Sequence, residues 1–381
     1  MKPRRIACIL ESRATYGYAR NVLLAAQHHP ELEMSCVVSG MHLIPEFGDT
    51  LKTIEADGFN IAAQVSVQHD DDSAASWSIG LGRGIEGFAR AFQDIQPDIV
   101  LLFGDRIETF GACIAASYMG LATGHIQAGD KSGHIDDMAR MAMAKLVHLH
   151  FASCENSADR LRRLGEQENR IMNVGAPQLD DIVGNEFTAN ELLVGDVCYD
   201  LEQPYLVLLQ HSTMIDRDLA AAQIDMSLRG LKALGMPIFW IFPNADIGFS
   251  PIVEAALAES DANVHVIASL PRDAFLRLLG NASALVGNSS CGILEAPTLK
   301  VPVVNIGDRQ RGRPQASNIL NCDWDAAKIA ESIRYAVSSE FADNATDAVN
   351  PYGDGKSGPR IVEVLGNVKL DRALYDKQTT Y

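Results

Sequence analysis

The stretch Val286-Gly287-Asn288-Ser289-Ser290-Cys291-Gly292-Ile293-Leu294-Glu295 reads as a strand end, a turn of small polar residues and a helix start. Small residues let backbone amides approach an anion, and serine hydroxyls add donors at the positive end of a helix. Glu295 follows one turn later, where a carboxylate accepts both hydroxyls of a ribose. An ordinary Ser-capped strand–helix turn has the same appearance. The stretch is neither a Walker A loop nor G-x-G-x-x-G, so those nucleotide folds are not indicated.

The same strand–turn–helix grammar repeats outward in both directions. Short apolar runs occur at Ile6–Leu10, Met34–Val38, Ile99–Phe103, His148–Ala152, Arg170–Val174, Tyr205–Gln210, Ile238–Phe242, Val264–Ile267, Ala284–Gly287 and Val301–Ile306. Helical patterns lie between them, at Gly84–Ile95, Ile107–Met119, Asp137–Val147, Ser157–Leu164, Asp218–Ala233 and Asp273–Leu279. That alternation predicts parallel sheets with helices on both faces. About ten strands exceed one comfortable open sheet, so the chain divides into two doubly wound α/β domains. The weakly patterned, acidic region around 184–203 is the boundary. The expected division is 1–190, 200–365 and a tail, 366–381.

The 381 residues include 32 Lys and Arg against 49 Asp and Glu, a formal charge of −17. So acidic a surface repels phosphate backbones and anionic membranes, which argues against nucleic-acid or membrane partners. No apolar run reaches the roughly 18 residues of a membrane span, and Ile6–Leu10 is too short for a signal-peptide core. Seven scattered cysteines without a CxxC pair suggest buried thiols in a cytoplasmic protein, not a zinc site or disulfide framework.

Open α/β sheets bind ligands beyond the carboxyl ends of their strands, and several informative segments follow strands. Gly104-Asp105-Arg106 puts a carboxylate beside a guanidinium able to fork onto phosphate. His125-Ile126-Gln127-Ala128-Gly129-Asp130 leads into Asp136 and Asp137, and neighbouring carboxylates raise one another's pKa, which separates acid from base. His211 ends the first strand of the second domain. Asn244 and Asp246 follow another strand, and Arg309, Arg311 and Arg313 concentrate three of the 32 basic residues in five positions. Glu11-Ser12-Arg13 offers one more arginine in a loop. His148-x-His150 puts two rings on one strand face, without the partners a metal needs.

Taken in order, these segments resemble the hydrolysing UDP-N-acetylglucosamine 2-epimerase family, in the branch serving sialic and legionaminic acid synthesis. The likeness runs over about residues 5–365. It includes Ser12-Arg13-Ala14-x-Tyr16-Gly17, Gly104-Asp105-Arg106, Ser132-Gly133-x-Ile135-Asp136, Gly287-Asn288-Ser289-Ser290-Cys291-Gly292-Ile293-x-Glu295 and Arg309-Gln310-x-Gly312-Arg313. The resemblance implies a GT-B-like fold: two Rossmann-like domains with a cleft between them, and a C-terminal helix returning to the first. It implies elimination of the nucleoside diphosphate by removal of the sugar's C2 proton, then hydration of the glycal to the free 2-epimer. No cofactor or metal is called for. The partners implied are a nucleotide sugar, UDP-linked first and GDP-linked second, and further copies in a homodimer or homotetramer.

Carried over by motif, Arg13, Arg106, Ser289, Ser290 and Arg309 hold the diphosphate, and Asn244 and Glu295 contact the nucleoside. His211 stands at the diphosphate–sugar junction. Asp105, with Asp130 or Asp137, moves protons at the sugar. Two departures fall on that side. Gln127 stands where many members have a catalytic carboxylate, and Met141 where they have histidine. Asp130 is expected to take over part of the missing carboxylate's work. The competing readings are a GT-B glycosyltransferase or plain nucleotide-sugar hydrolase, and a non-catalytic nucleotide-sugar-binding protein.

Overall fold

In Arg4–Leu10 (β1), Ile6, Cys8 and Leu10 enter one core, while Ala7 and Ile9 enter another. Successive strand residues point to opposite faces. A strand covered on both faces therefore reads as an unbroken apolar run. In the second half of the chain, Leu206 and Leu208 face one core and Val207 and Leu209 another.

A computed structural model describes residues 2–44, 50–67, 73–131, 135–194, 197–213, 216–244 and 248–381, without the side chains of 135 and 136. It divides into two compact units, Met1–Asp181 with Tyr352–Tyr381, and Ile182–Pro351. The first unit's strands after β1 are Leu32–Ser39 (β2), Ile61–Val65 (β3), Ile99–Phe103 (β4), Ala122–Ile126 (β5), Leu149–Ala152 (β6) and Ile171–Asn173 (β7). They form one parallel sheet in the order β3-β2-β1-β4-β5-β6-β7. The second unit opens with an antiparallel hairpin, Glu191–Val194 (β8) and Val197–Asp200 (β9). Its parallel sheet holds Leu206–Leu209 (β10), Ile238–Ile241 (β11), Val264–Ile267 (β12), Ala284–Gly287 (β13), Val303–Ile306 (β14) and Ile319–Cys322 (β15). The order is β12-β11-β10-β13-β14-β15.

Each sheet grows one way from its first strand and then reverses, between β1 and β4 in one unit and between β10 and β13 in the other. Such reversals leave a crevice beyond the strands' carboxyl ends. Glu11 to Arg13 and Gly104 to Arg106 follow β1 and β4, and His211 and Asn288 to Ser290 follow β10 and β13.

Three expectations need correction. The second domain does not extend to residue 365, and 366–381 is not a separate tail, although a helix returning to the first domain is what the resemblance implies. Residues 352–381 belong with the first unit. The helix Ser357–Asn367 buries Ile361, Val362 and Leu365 in the core beneath β1, and the Asp180 carboxylate caps its first amides, Ser357 N at 2.9 Å and Gly358 N at 2.5 Å. Beyond it, Arg170 donates to the carbonyls of Ala373 and Leu374, both at 2.8 Å. Arg13 does not sit in a loop, because Ser12 caps a helix that begins at Arg13 and runs to Ala26. Finally, β3, β5, β8, β9 and β15 are strands that apolar runs do not reveal. Ala-Thr-Gly-His-Ile in β5 carries a single large aliphatic residue, and β3 and β15 are half-exposed edges.

Candidate active site

In the first unit, Asp105 follows β4 and accepts a 2.5 Å hydrogen bond from Arg140 Nη2. Arg140 lies on the helix Ile135–Leu146, is 2% exposed, and donates its other terminal nitrogen to the Gln127 carbonyl at 2.5 Å. Burial works against its charge, but the Asp105 and Asp130 carboxylates outweigh burial and raise its pKa. Gln127 takes a left-handed backbone, φ +60°, which is costly without a glycine. The bond from Arg140 helps hold that turn. His125 is wholly buried and bonds through Nε2 to the Gly104 carbonyl at 2.6 Å, and burial drops its pKa to about 3, so it is a neutral donor.

Asp130 is 2% exposed. Its Oδ1 accepts from the hydroxyls of Ser153 and of Ser157, the latter at 2.6 Å, and its Oδ2 meets no hydrogen-bond partner among the described residues. Asp137 lies half-buried one turn before Arg140 on the same helix. Ser132 to His134 and the Asp136 side chain lie outside the described residues. Arg106 stands at the cap position of Ile107–Tyr118 with Nε 3.5 Å from Glu108 Oε2. Arg13 is half-buried, which lowers its pKa to about 10, so it remains a cation at neutral pH.

In the second unit, β13 ends at Gly287 with φ +134°, and a Cβ there would fall on the Leu209 carbonyl of β10. Only glycine lets the two strands part at that point. Asn288 then clasps the His211 backbone. Its Oδ1 accepts from His211 N at 2.7 Å and its Nδ2 donates to His211 O at 2.9 Å. His211 Nδ1 accepts from the Asn244 amide at 3.1 Å, which leaves Nε2 as the hydrogen-bearing nitrogen of a neutral ring. Arg309 Nη1 and Gln310 Nε2 both donate to the Asn288 carbonyl, at 3.1 and 2.8 Å. His211, Asn244, Ser289, Ser290 and Arg309 are thus gathered round one turn. Ser290 stands at the start of a four-residue helix and makes no side-chain cap bond. Glu295 is 7% exposed and ion-paired with Arg272 at the start of the helix Arg272–Gly280. Asp246 lies outside the described residues.

A sequence profile described as UDP-N-acetylglucosamine 2-epimerase matches residues 24–366. The chain belongs to that family. A UDP-N,N'-diacetylbacillosamine 2-epimerase (hydrolyzing) of Legionella pneumophila is 32% identical over 379 residues, covering 99% of this chain and 100% of the relative. A GDP/UDP-N,N'-diacetylbacillosamine 2-epimerase (hydrolyzing) of Campylobacter jejuni is 30% identical, covering 98% of each chain. The crystal structure of the Neisseria meningitidis UDP-GlcNAc 2-epimerase bound to UDP-GlcNAc superposes with a TM-score of 0.77 at 20% identity, covering 95% of this chain and 99% of that one. The fold is accordingly GT-B-like, with two Rossmann-like units.

At Gln127 it is the backbone carbonyl, not the side-chain amide, that Arg140 holds. Motif reading gave no role to Arg140 or Asn288, although both stand inside matched motifs, and did not reach Arg272. Arg140 and Arg272 lie in amphipathic helices where arginine is ordinary, and Asn288 has the look of one more small turn residue. Of the three clustered arginines, Arg309 reaches the Asn288 turn, while Arg311 is exposed near Asp308 and Arg313 bonds Gln310. The His148-x-His150 pair is structural: His150 Nε2 lies 3.0 Å from Glu166, and His148 Nδ1 lies 2.9 Å from Thr123 Oγ1. No group of three His, Cys, Asp or Glu side chains able to hold a metal occurs among the described residues. No helix among the described residues is long and apolar enough to cross a membrane.

Proposed function

We propose that this chain is a hydrolysing nucleotide-sugar 2-epimerase whose substrate is a UDP-linked 2,4-diacetamido-trideoxyhexose. UDP-N-acetylglucosamine and the GDP-linked sugar are the next candidates. The epimerase class is supported by the family match, and the observation that carries nucleotide-diphosphate binding is the β10/β13 turn. There the Asn288 clasp, the Arg309 guanidinium and a His211 Nε2–H collect donors beside two serine hydroxyls, as a diphosphate requires. The diacetamido sugar is supported by the printed activities of the Legionella and Campylobacter relatives.

In this reading Arg13, Arg106, Ser289, Ser290 and Arg309 neutralise the diphosphate, and Glu295 takes the ribose with Asn244 beside the nucleoside. His211 donates from Nε2 at the sugar–phosphate junction. Asp105, with Asp130 or Asp137, takes the C2 proton as the C1–O bond breaks, and water then adds across C1 and C2 of the glycal. The same family reading makes the protein a cytoplasmic homodimer or homotetramer, a state that light scattering measures.

The test is incubation with each donor in deuterated water, followed by proton NMR. A free manno-configured sugar deuterated at C2, with released UDP, is the expected product. An undeuterated gluco sugar would make the protein a plain hydrolase or transferase. UDP binding without release from any donor would leave a binding protein.

A further inference from the structure

Three side chains of the first unit form a buried chain of oxygens that no step above uses. Glu11 ends in a side chain with no exposed surface, immediately after β1. Thr15 Oγ1 donates to its Oε1, and Tyr18 OH lies 3.2 Å from the same Thr15 oxygen. Ser12 Oγ steadies Thr15 from the other side at 3.1 Å. At its far end the Tyr18 hydroxyl reaches the sugar-side corner. A Cβ built on Gly104 would lie 3.4 Å from Tyr18 OH and 3.9 Å from Gln127 Oε1. Glu11 Oε2 meets no hydrogen-bond partner among the described residues.

We propose that Glu11, Thr15 and Tyr18 are a proton relay that protonates C2 of the glycal in the hydration half of the reaction, with Tyr18 as the group that touches the sugar. The inference rests on the epimerase reading above. The relay is a donor because every member carries a proton at neutral pH. Burial raises Glu11 to about 8, the Thr15 bond pulls it down, and Glu108 adds to the rise against Arg106. Burial, Glu11 and Asp105 raise Tyr18 further above its usual value, with Arg140 opposing. The ionisable groups around Glu11 are Glu108 and Arg106 at the start of Ile107–Tyr118 and Tyr18 on Arg13–Ala26. On Gly40–Leu43, His42 lies beside Ser12 and Arg13, and burial lowers it to about 4.

The C1–C2 π pair takes the Tyr18 proton at C2. The Thr15 hydroxyl, which at rest donates to Glu11 Oε1, turns to donate its proton to Tyr18, and the protonated Glu11 carboxyl turns its own proton onto Thr15. Water adds its oxygen at C1, and the proton it sheds returns along the chain to Glu11. The net change is addition of one water. The arrangement supplies an acid in a site where Gln127 cannot act as one.

The test begins from the glycal plus UDP, so hydration is read apart from elimination. Expected for Tyr18→Phe and Glu11→Gln is hydration slowed about 100-fold, with UDP affinity unchanged and glycal accumulating from the full substrate. Wild-type hydration should fall above about pH 8, and that limb should vanish in Glu11→Gln. Thr15→Ser should keep the rate and Thr15→Val should lose it. Wild-type hydration rates in Tyr18→Phe and Glu11→Gln, or an alkaline limb that survives Glu11→Gln, would overturn the relay while leaving the epimerase intact. A wild type that neither eliminates nor hydrates would remove the epimerase reading and the relay with it.

Discussion

Asp105 and Arg140 are a pair in which each member needs the other. Arg140 is almost wholly buried, so its charge is tolerated only beside carboxylates. Asp105→Asn therefore has two expected effects. Turnover falls at least about 100-fold, and stability drops by about 3 kcal/mol as Arg140 loses its partner. Denaturant titration reads the second effect and NMR turnover the first. Arg272 plays the matching part in the second unit. Arg272→Ala leaves Glu295 unpaired, and UDP affinity is expected to fall about tenfold, a loss of roughly 1.4 kcal/mol by calorimetry. Motif spelling made Asp105 and Glu295 visible, because each stands at a fixed place in a recognisable turn, Gly104-Asp105-Arg106 and Gly287 to Glu295. It did not show Arg140 or Arg272, because a helical arginine is common and only packing reveals that it is buried against a carboxylate.

At the scale of single elements, the decisive features are where strands end. Gly287→Ala forces a Cβ onto the Leu209 carbonyl at a backbone angle that L residues avoid. The expected cost is about 3 kcal/mol or more, with loss of UDP binding before loss of the first unit's fold; limited proteolysis separates the two. The C-terminal segment is the second such feature. Lys377 donates to the Val147 carbonyl at 2.7 Å and to Glu166 at 2.6 Å, while Lys145 and His150 meet Glu166 at 3.0 Å. Burial pushes Glu166 upward, but hydrogen bonds from His150 and Lys377 outweigh it and hold the carboxyl at about 2. A depressed carboxyl stabilises the fold above its unfolded pKa of about 4.5 and loses that contribution as pH falls toward 2. Glu166→Gln should loosen residues 372–381 at neutral pH, read as faster amide exchange there. Sequence patterning treated this segment as a tail because much of what holds it is hydrogen bonding, from Arg170 to its backbone carbonyls and from its own Lys377 to Val147 and Glu166. Such contacts leave no apolar periodicity to read.

Across the whole molecule the two units differ in their acid sensitivity. His42, His125 and His148 in the first unit are buried and lowered to about 4, 3 and 4. Below about pH 6.5 the unfolded chain takes up protons that these rings refuse. Glu11, raised to about 8, has the opposite sign over this range and offsets about one of the three. Stability of the first unit should therefore still fall as pH drops from 6.5 toward 4. In the second unit, His265 is lowered by burial and adds a smaller term of the same sign. Amide exchange by mass spectrometry at pH 7 and pH 5, corrected for intrinsic rates, should show the first unit opening sooner at the lower pH. Equal protection loss in both units would contradict this account.

The residue pattern by itself determined the class of architecture and marked the turns that are candidates for the chemistry. Buried parallel strands must be apolar on both faces, so they stand out as runs, and ligand-binding turns must carry small residues and charges where those runs stop. Tertiary structure decided the rest: which turns share a switch point, which helical arginines answer which carboxylates, and that the C-terminal return implied by the resemblance begins at Tyr352 and takes in everything to Tyr381. These depend on contacts between residues far apart in the chain. A single such contact, like Asp180 capping Ser357 or Arg140 holding Asp105, imposes no spacing that the sequence must repeat.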